Sequence, residues 1–308
     1  MILRPYHKGD EVAILSLFSQ CFGREMKADF WKWRFLNNPV CQCLIYLAWD
    51  NETLASHYAV SPVVASIEDK DYLTGLSMTT MTGKDYRGLK LFQQLANKAY
   101  ARMVDLSYSM VWGFPNIQIH RVRVRDLGWE DIYEIPTMKL KIDPTPKSTT
   151  YNIVTDDHFD FDYIDNLYSS RLMHVKKDKQ YLRWRYADNP INQYVNLVIT
   201  KEQQVSSFCI VKKYSNSLDI VDFQACNEDE GEILLNQSVY FACQNNLESI
   251  NCWAPRHHFI HSLCEKMGFI NKEPITYLGY RQLAENKLKK ILNNYSDWYI
   301  QMGDSDVY

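Results

Sequence analysis

The sequence predicts a mixed α/β fold built twice: two tandem units, each with a mostly antiparallel central sheet flanked by helices. Three observations carry this. FWKWRFLNNP at 30–39 recurs as YLRWRYADNP at 181–190, an offset of 151 residues, and self-similarity of this kind marks a repeated structural unit. Leu54-Ala55-Ser56 falls on Val205-Ser206-Ser207 at the same offset, whereas Phe114-Pro115 and Leu127-Gly128-Trp129 fall on Ala254-Pro255 and Met267-Gly268-Phe269 at an offset of 140. The second copy is therefore a net 11 residues shorter between these anchors. Finally, helix-period and strand-like apolar segments follow one another in the same order in both copies.

The elements of the first copy follow from the pattern. Over 10–22, Ile14, Leu15, Phe18, Cys21 and Phe22 share one helical face. WKWRF forms a second helix, stopped by Asn-Asn-Pro. Strands are expected over 43–49, 54–67 and 72–81, separated by the polar turns Asp50-Asn51-Glu52 and Glu68-Asp69-Lys70-Asp71. A helix over 89–104 turns Phe92, Leu95, Ala99 and Met103 inward. A strand over 108–114, a helix ending near Leu127-Gly128 and a strand over 132–142 complete the unit. Asp143-Pro144-Thr145-Pro146-Lys147-Ser148 reads as a linker, with the second unit starting at Tyr151. The expected units are 1–143 and 144–308.

Composition bounds the function. The chain has 308 residues, 46% hydrophobic and 23% charged, which excludes disordered and collagen-like classes. A net charge of −3 gives no reason to expect nucleic acid as a partner. No apolar stretch approaches the length of a membrane span, and the polar and acidic residues near the N-terminus do not read as a signal peptide, so no membrane partner is expected. Most of the eight cysteines lie in apolar runs, which suits reduced thiols in the cytoplasm. His257, His261 and Cys264 fall on one helical face at zinc-ligand spacing, but no fourth ligand has recognisable spacing, so no metal is expected.

The chemistry should sit where the third strand turns into the long helix, at TGKDYRGLKLF (82–92). This strand–turn–helix after a meander resembles the GNAT superfamily of acyl-CoA-dependent N-acyltransferases, whose pyrophosphate loop reads Q/R-x-x-G-x-G/A. Such a loop cradles phosphate on the backbone amides of a helix N-terminus. Arg87 matches the first motif position, while Lys90 and Phe92 stand where the family has small residues. The resemblance implies acyl-CoA as co-substrate, held by Met81, Thr82, Arg87, Gly88, Leu89, Lys90, Leu91 and Phe92. Asn116, after Trp112-Gly113-Phe114-Pro115, lies where the family admits pantetheine between two splayed strands. The counterpart in the second copy, NEDEGE at 227–232, is acidic and would repel pyrophosphate. CoA is therefore expected in the first unit, beside a degenerate second unit.

The family chemistry is direct attack of a neutral amine on the thioester. It needs an oxyanion donor and a route for the amine proton. The resemblance places the oxyanion donor at the backbone near Met81 and Thr82. His57, whose counterpart is Phe208, and His120, one turn beyond Asn116, are the candidate bases, since imidazole titrates near neutrality. Trp33-Arg34 and Trp184-Arg185 read either as packing elements or as a stacking and diphosphate-binding pair. Asp304 and Asp306 are candidates for bonding sugar hydroxyls. The duplicated Trp-Arg helix and MGDSD at 302–306 resemble tandem GNAT proteins of bacterial amino-sugar and surface-polysaccharide (lipopolysaccharide) synthesis. That resemblance implies transfer to the amine of a nucleotide-linked sugar. Small amines or peptides as acceptors, or a non-catalytic binding module, remain open.

Overall fold

Unit 1 comprises Met1–Ala65, Asp71–Tyr133 and Tyr277–Asn293; unit 2 comprises Ser66–Lys70, Glu134–Thr276 and Asn294–Tyr308. The computed structural model describes residues 1–143, 154–155, 172–202, 204–284 and 292–308. The expected linker from Pro144 onward and the expected start at Tyr151 lie outside these residues.

In unit 1, β1 (Ile2–Pro5) precedes α1 (Glu11–Phe22) and α2 (Ala28–Phe35). Asp10 ahead of α1 takes both Nη atoms of Arg4 at 2.7 and 2.8 Å. Gly23 closes α1 in the left-handed conformation, its N–H on the Ser19 carbonyl. The strands β2 (Leu44–Asp50), β3 (Thr53–Ile67) and β4 (Lys70–Thr82) follow as the alternation predicts. Then come α3 (Leu91–Asp105), β5 (Met110–Gly113) and α4 (Ile117–Leu127). β1, which the sequence reading did not place, pairs antiparallel with β2.

Two apolar clusters hold the helices to this sheet. One joins Ile14, Leu17, Trp31 and Phe35 to Leu47, Met78 and Met81. The other joins Leu91, Leu95, Ala99 and Leu127 to Tyr58, Val60 and Val111. The face read from sequence on α3 is the one buried, whereas on α1 Phe22 is exposed and Leu17, outside the expected face, is buried, because the helix turns its Ile14–Leu17–Phe18 side to the sheet.

Each sheet takes its last strand from the other half of the sequence. In unit 1 the order is β1-β2-β3-β4-β5, then residues 279–282 of β13 (Ile270–Gln282), antiparallel to β5 with Gly279 opposite Gly113. Unit 2 repeats the order with β7 (Val154–Thr155), β9 (Tyr194–Lys201), β10 (Gln204–Tyr214), β11 (Ser217–Gln224) and β12 (Ser249–Cys252). Its last strand is residues 138–141 of β6 (Glu130–Lys141), antiparallel to β12 with Ser249 opposite Lys141. The short strand β8 (His174–Val175) leads to α5 (Lys179–Leu182), which continues as a π-helical turn Arg183–Ala187 at the place of α2. The helices α6 (Glu228–Gln244) and α7 (Phe259–Lys266) correspond to α3 and α4.

The second copy is shorter in two places, partly offset by its longer helix α6, with 17 residues against 15 in α3. β3 and β4 have 15 and 13 residues against 11 and 8 in β10 and β11. The connection to the long helix shortens from 83–90 to 225–227.

Candidate functional site

The site is a fork in the sheet of unit 1. β4 and β5 run parallel but pair at only two positions, Gly75 with Val111 and Leu76 with Trp112. Beyond them β4 continues to Thr82, while β5 ends at Gly113. Gly113 lets the strands meet at the apex, because a Cβ there would stand 3.0 Å from the Ser77 carbonyl oxygen. Past the apex the diverging edge of β4 is a surface onto which an extended ligand can add.

The loop at the mouth of the fork resolves into a short 3₁₀ turn (Lys84–Tyr86), then Arg87 to Lys90, then α3. Gly88 at φ +86° uses the freedom of glycine. Lys90 takes the left-handed conformation at φ +56°, where the family has a small residue. α3 has no side-chain N-cap and no acidic residue in its first turn, so no carboxylate of that turn offsets the positive end of its dipole. Arg87, Gly88, Leu89 and Lys90 are exposed. The Leu91 and Phe92 side chains are buried in the core, Phe92 against Tyr58 at 5.5 Å, so only their backbone belongs to the loop. Met81 likewise buries its side chain, and its carbonyl accepts from Ser56 Oγ at 2.7 Å. Thr82 Oγ1 lies 2.9 Å from the same hydroxyl.

α4 leaves the fork with Asn116 as its N-cap, the side chain accepting from the amides of Gln118 and Ile119. That bond uses the carbonyl oxygen of the side chain for the helix. One turn on, His120 Nε2 lies 2.7 Å from Asp131 Oδ1, and the ring stacks on Tyr277 at 4.1 Å and 9°. With a carboxylate on Nε2, that nitrogen carries the hydrogen. His57 is fully buried, its Nδ1 2.8 Å from the Thr79 carbonyl. Burial pushes its imidazole down to about 4.

Three residues of the fork escaped the sequence reading. Asp131 sits beyond the helix and carries no local motif. Thr79 takes φ +47° inside a strand. Arg123 on α4 is buried, its Nη2 donating to Ser77 Oγ at 2.6 Å and its guanidinium 4.2 Å above Trp129. Its spacing was the available signal: Ile119, Arg123 and Leu127 recur every four residues, so an arginine occupies the inward face.

The other predicted contacts lie inside the protein. Trp33 and Arg34 are buried in unit 1, the guanidinium 5.9 Å from the indole. In unit 2, Trp184, Arg185 and Asp304 are buried and Asp306 is half-buried. Arg185 donates to the carbonyls of Gly303, Ser305 and Tyr308 and to Tyr194 Oη. Lys177 Nζ bridges Asp222 and Asp304 at 2.8 and 2.9 Å.

These contacts fill the equivalent fork of unit 2. β11 and β12 pair in parallel from Ser217–Ser249 to Ile220–Cys252. Beyond them, Gln301 Oε1 accepts from the Phe223 amide and Gln301 Nε2 donates to the Phe223 carbonyl, both at 2.6 Å. Tyr299 Oη donates to the same carbonyl at 2.7 Å. At the start of α6, Asn227 caps the Glu230 amide, and the Glu230 carboxylate accepts from Ser206, Ser207 and Lys201. His261 is buried with Nδ1 on the Ala254 carbonyl, and His257 lies edge-on to Tyr295. Among the described residues no group of three or more His, Cys, Asp or Glu could hold a metal. No described helix is long and apolar enough to cross a membrane.

Comparison with known proteins fits this architecture. Residues 3–132 match the model of the acetyltransferase (GNAT) domain family. A search of curated sequences finds no match. Among solved structures, the chain is similar to an Enterococcus faecalis protein titled "Probable N-Acyltransferase" (12% identity, TM-score 0.68, 92% of this chain and 72% of that one). It is similar to a GCN5-related N-acetyltransferase from Kribbella flavida (11%, 0.65, 91% and 71%). It is also similar to Saccharomyces cerevisiae N-myristoyltransferase with bound myristoyl-CoA (10%, 0.65, 90% and 82%). At these identities the likeness is one of fold.

Proposed function

We propose that the chain is an acyl-CoA-dependent N-acyltransferase that moves an acetyl or short hydroxyacyl group onto the amine of a nucleotide-linked aminodeoxy sugar. The observation that carries the acyl-CoA half is the pairing, in unit 1 alone, of a forked sheet with an uncapped helix start flanked by exposed Arg87 and Lys90. A diphosphate suits the helix start, and an extended amide-bearing arm suits the edge of β4. The acceptor half rests on the sequence resemblance to tandem GNAT proteins of amino-sugar synthesis, such as the N-acyltransferase acting on dTDP-3-amino-3,6-dideoxy-D-galactose. Recognition of the acceptor does not rest on Trp33, Arg34, Trp184, Arg185 or Asp304, which the protein's own packing engages.

In this reading the neutral amine attacks the thioester carbon, and the backbone around Met81 and Thr82 receives the developing oxyanion. Collapse of the tetrahedral intermediate expels CoA as thiolate. The proton released by the amine passes to Nδ1 of His120, whose imidazolium Asp131 stabilises through Nε2–H. The test is thiol release from acetyl-CoA or 3-hydroxybutanoyl-CoA with dTDP- and UDP-linked amino sugars, simple amines and peptides. Release with an amino-sugar nucleotide is expected. Release with simple amines or peptides only would move the acceptor class. Absence of CoA binding by calorimetry would leave a non-catalytic module.

A further inference from the structure

Thr79 is the irregular residue of β4. A β-branched residue is strongly disfavoured at φ +47°, all the more inside a strand. Such conformations persist where neighbouring groups hold them, and they gather at functional sites. The kink lies three residues past Leu76, the last position paired with β5, and directly before Thr80 and Met81.

The group that holds it is His57. A carbonyl can only accept, so His57 Nδ1 donates to the Thr79 oxygen and Nε2 keeps its lone pair. Among the described residues Nε2 has no hydrogen-bond partner, which costs free energy at a buried site. Phe35 sets the ring edge-on at 6.0 Å and 90°. What histidine offers here beyond an apolar residue is therefore a hydrogen bond to the Thr79 backbone. In unit 2 the corresponding position is Phe208. There β11 bulges between Ile220 and Asp222 without a left-handed residue.

We propose that His57 is a positioning residue: its bond to Thr79 fixes the left-handed turn of β4 that sets the backbone around Met81 and Thr82 toward the thioester oxygen. This rests on the acyl-CoA reading above. The ring is sealed from solvent and held neutral, so it takes no proton from the amine.

The test compares binding of free CoA, acetyl-CoA and 3-hydroxybutanoyl-CoA to the full chain by calorimetry. The wild type is expected to prefer one acyl-CoA over free CoA. His57→Ala should cut that preference by about tenfold while free CoA affinity changes by less than about twofold, as loss of an oriented donor to the acyl oxygen requires. Adding Thr79→Gly, which adopts positive φ without a lock, should restore most of it. Should His57→Ala not fold, His57→Asn against His57→Asn/Thr79→Gly reads the same coupling. An unaltered preference in the His57 variant, or a folded double variant with no recovery, overturns the proposal alone. A wild type that binds CoA without preferring either acyl form also overturns it. A wild type that binds no form of CoA overturns the acyltransferase reading with it.

Discussion

The two units share one strand order and one fork, and they differ in what lies against the diverging strand. In unit 1, β4 runs past its last pair with β5, and α3 begins with no cap. In unit 2, Gln301 and Tyr299 satisfy the backbone of Phe223, Lys177 ties Asp304 to β11, and Asn227 with Glu230 engages the helix start. A Cβ on Gly303 would come within 2.9 Å of the Val221 carbonyl, so the segment lies directly on the strand. The same fold thus engages the corresponding backbone with its own side chains in one copy and lacks those side-chain contacts, among the described residues, in the other.

The largest blow to this contrast is Lys177→Met, which leaves the buried Asp222 and Asp304 without their cation. Stability should fall by about 3–5 kcal/mol in urea unfolding, and a loss below about 1 kcal/mol would show that the tail is not stapled. The next effect is one of pH in unit 1. The folded chain keeps His57 neutral down to about 4, whereas the unfolded chain protonates it near 6.5. The unfolded state therefore binds the extra proton first, and stability falls by up to about 3 kcal/mol as pH drops from about 6.5 to about 4. His57→Asn should flatten that window in unfolding curves taken across it. Gln301→Ala should cost about 1–3 kcal/mol by stranding the Phe223 amide, read as a lower denaturation midpoint with unchanged slope. Smallest is Lys90→Gly, which should raise stability by about 1 kcal/mol by relieving a left-handed lysine. If thermal unfolding shows a decrease instead, contacts of the Lys90 side chain outweigh its backbone strain.

The repeat was legible because the Trp-Arg helix and the Gly-bearing turns are spelled twice. The face of α3 was legible because burial follows a 3.6-residue period, whereas on α1 the run of apolar residues put the exposed Phe22 inward and left out Leu17. The exchange of β6 and β13 was not, since an alternating strand reads the same whichever neighbour it joins. Nor was the kink at Thr79, because LSMTTMT is ordinary strand composition. The fork's loop was found from Arg87 and Gly88, but the inward turn of Phe92 belongs to packing that the motif does not encode. Arg185 and Asp304 looked like ligand contacts because buried ions and ligand-binding ions share residue types. What separates them is the partner, which lies more than a hundred residues away.

The borrowed strands bear on how the chain is made. Residue Gly279 completes the sheet that Gly113 opens, so a ribosome must add 279 − 113 = 166 more residues before that sheet gains its last strand. At about 5–20 residues per second this leaves β5 with an open edge for roughly 8–30 seconds during synthesis. A gene trimmed to its first half would lack the closing strand altogether, which gives the second half a reason to persist whether or not it touches CoA.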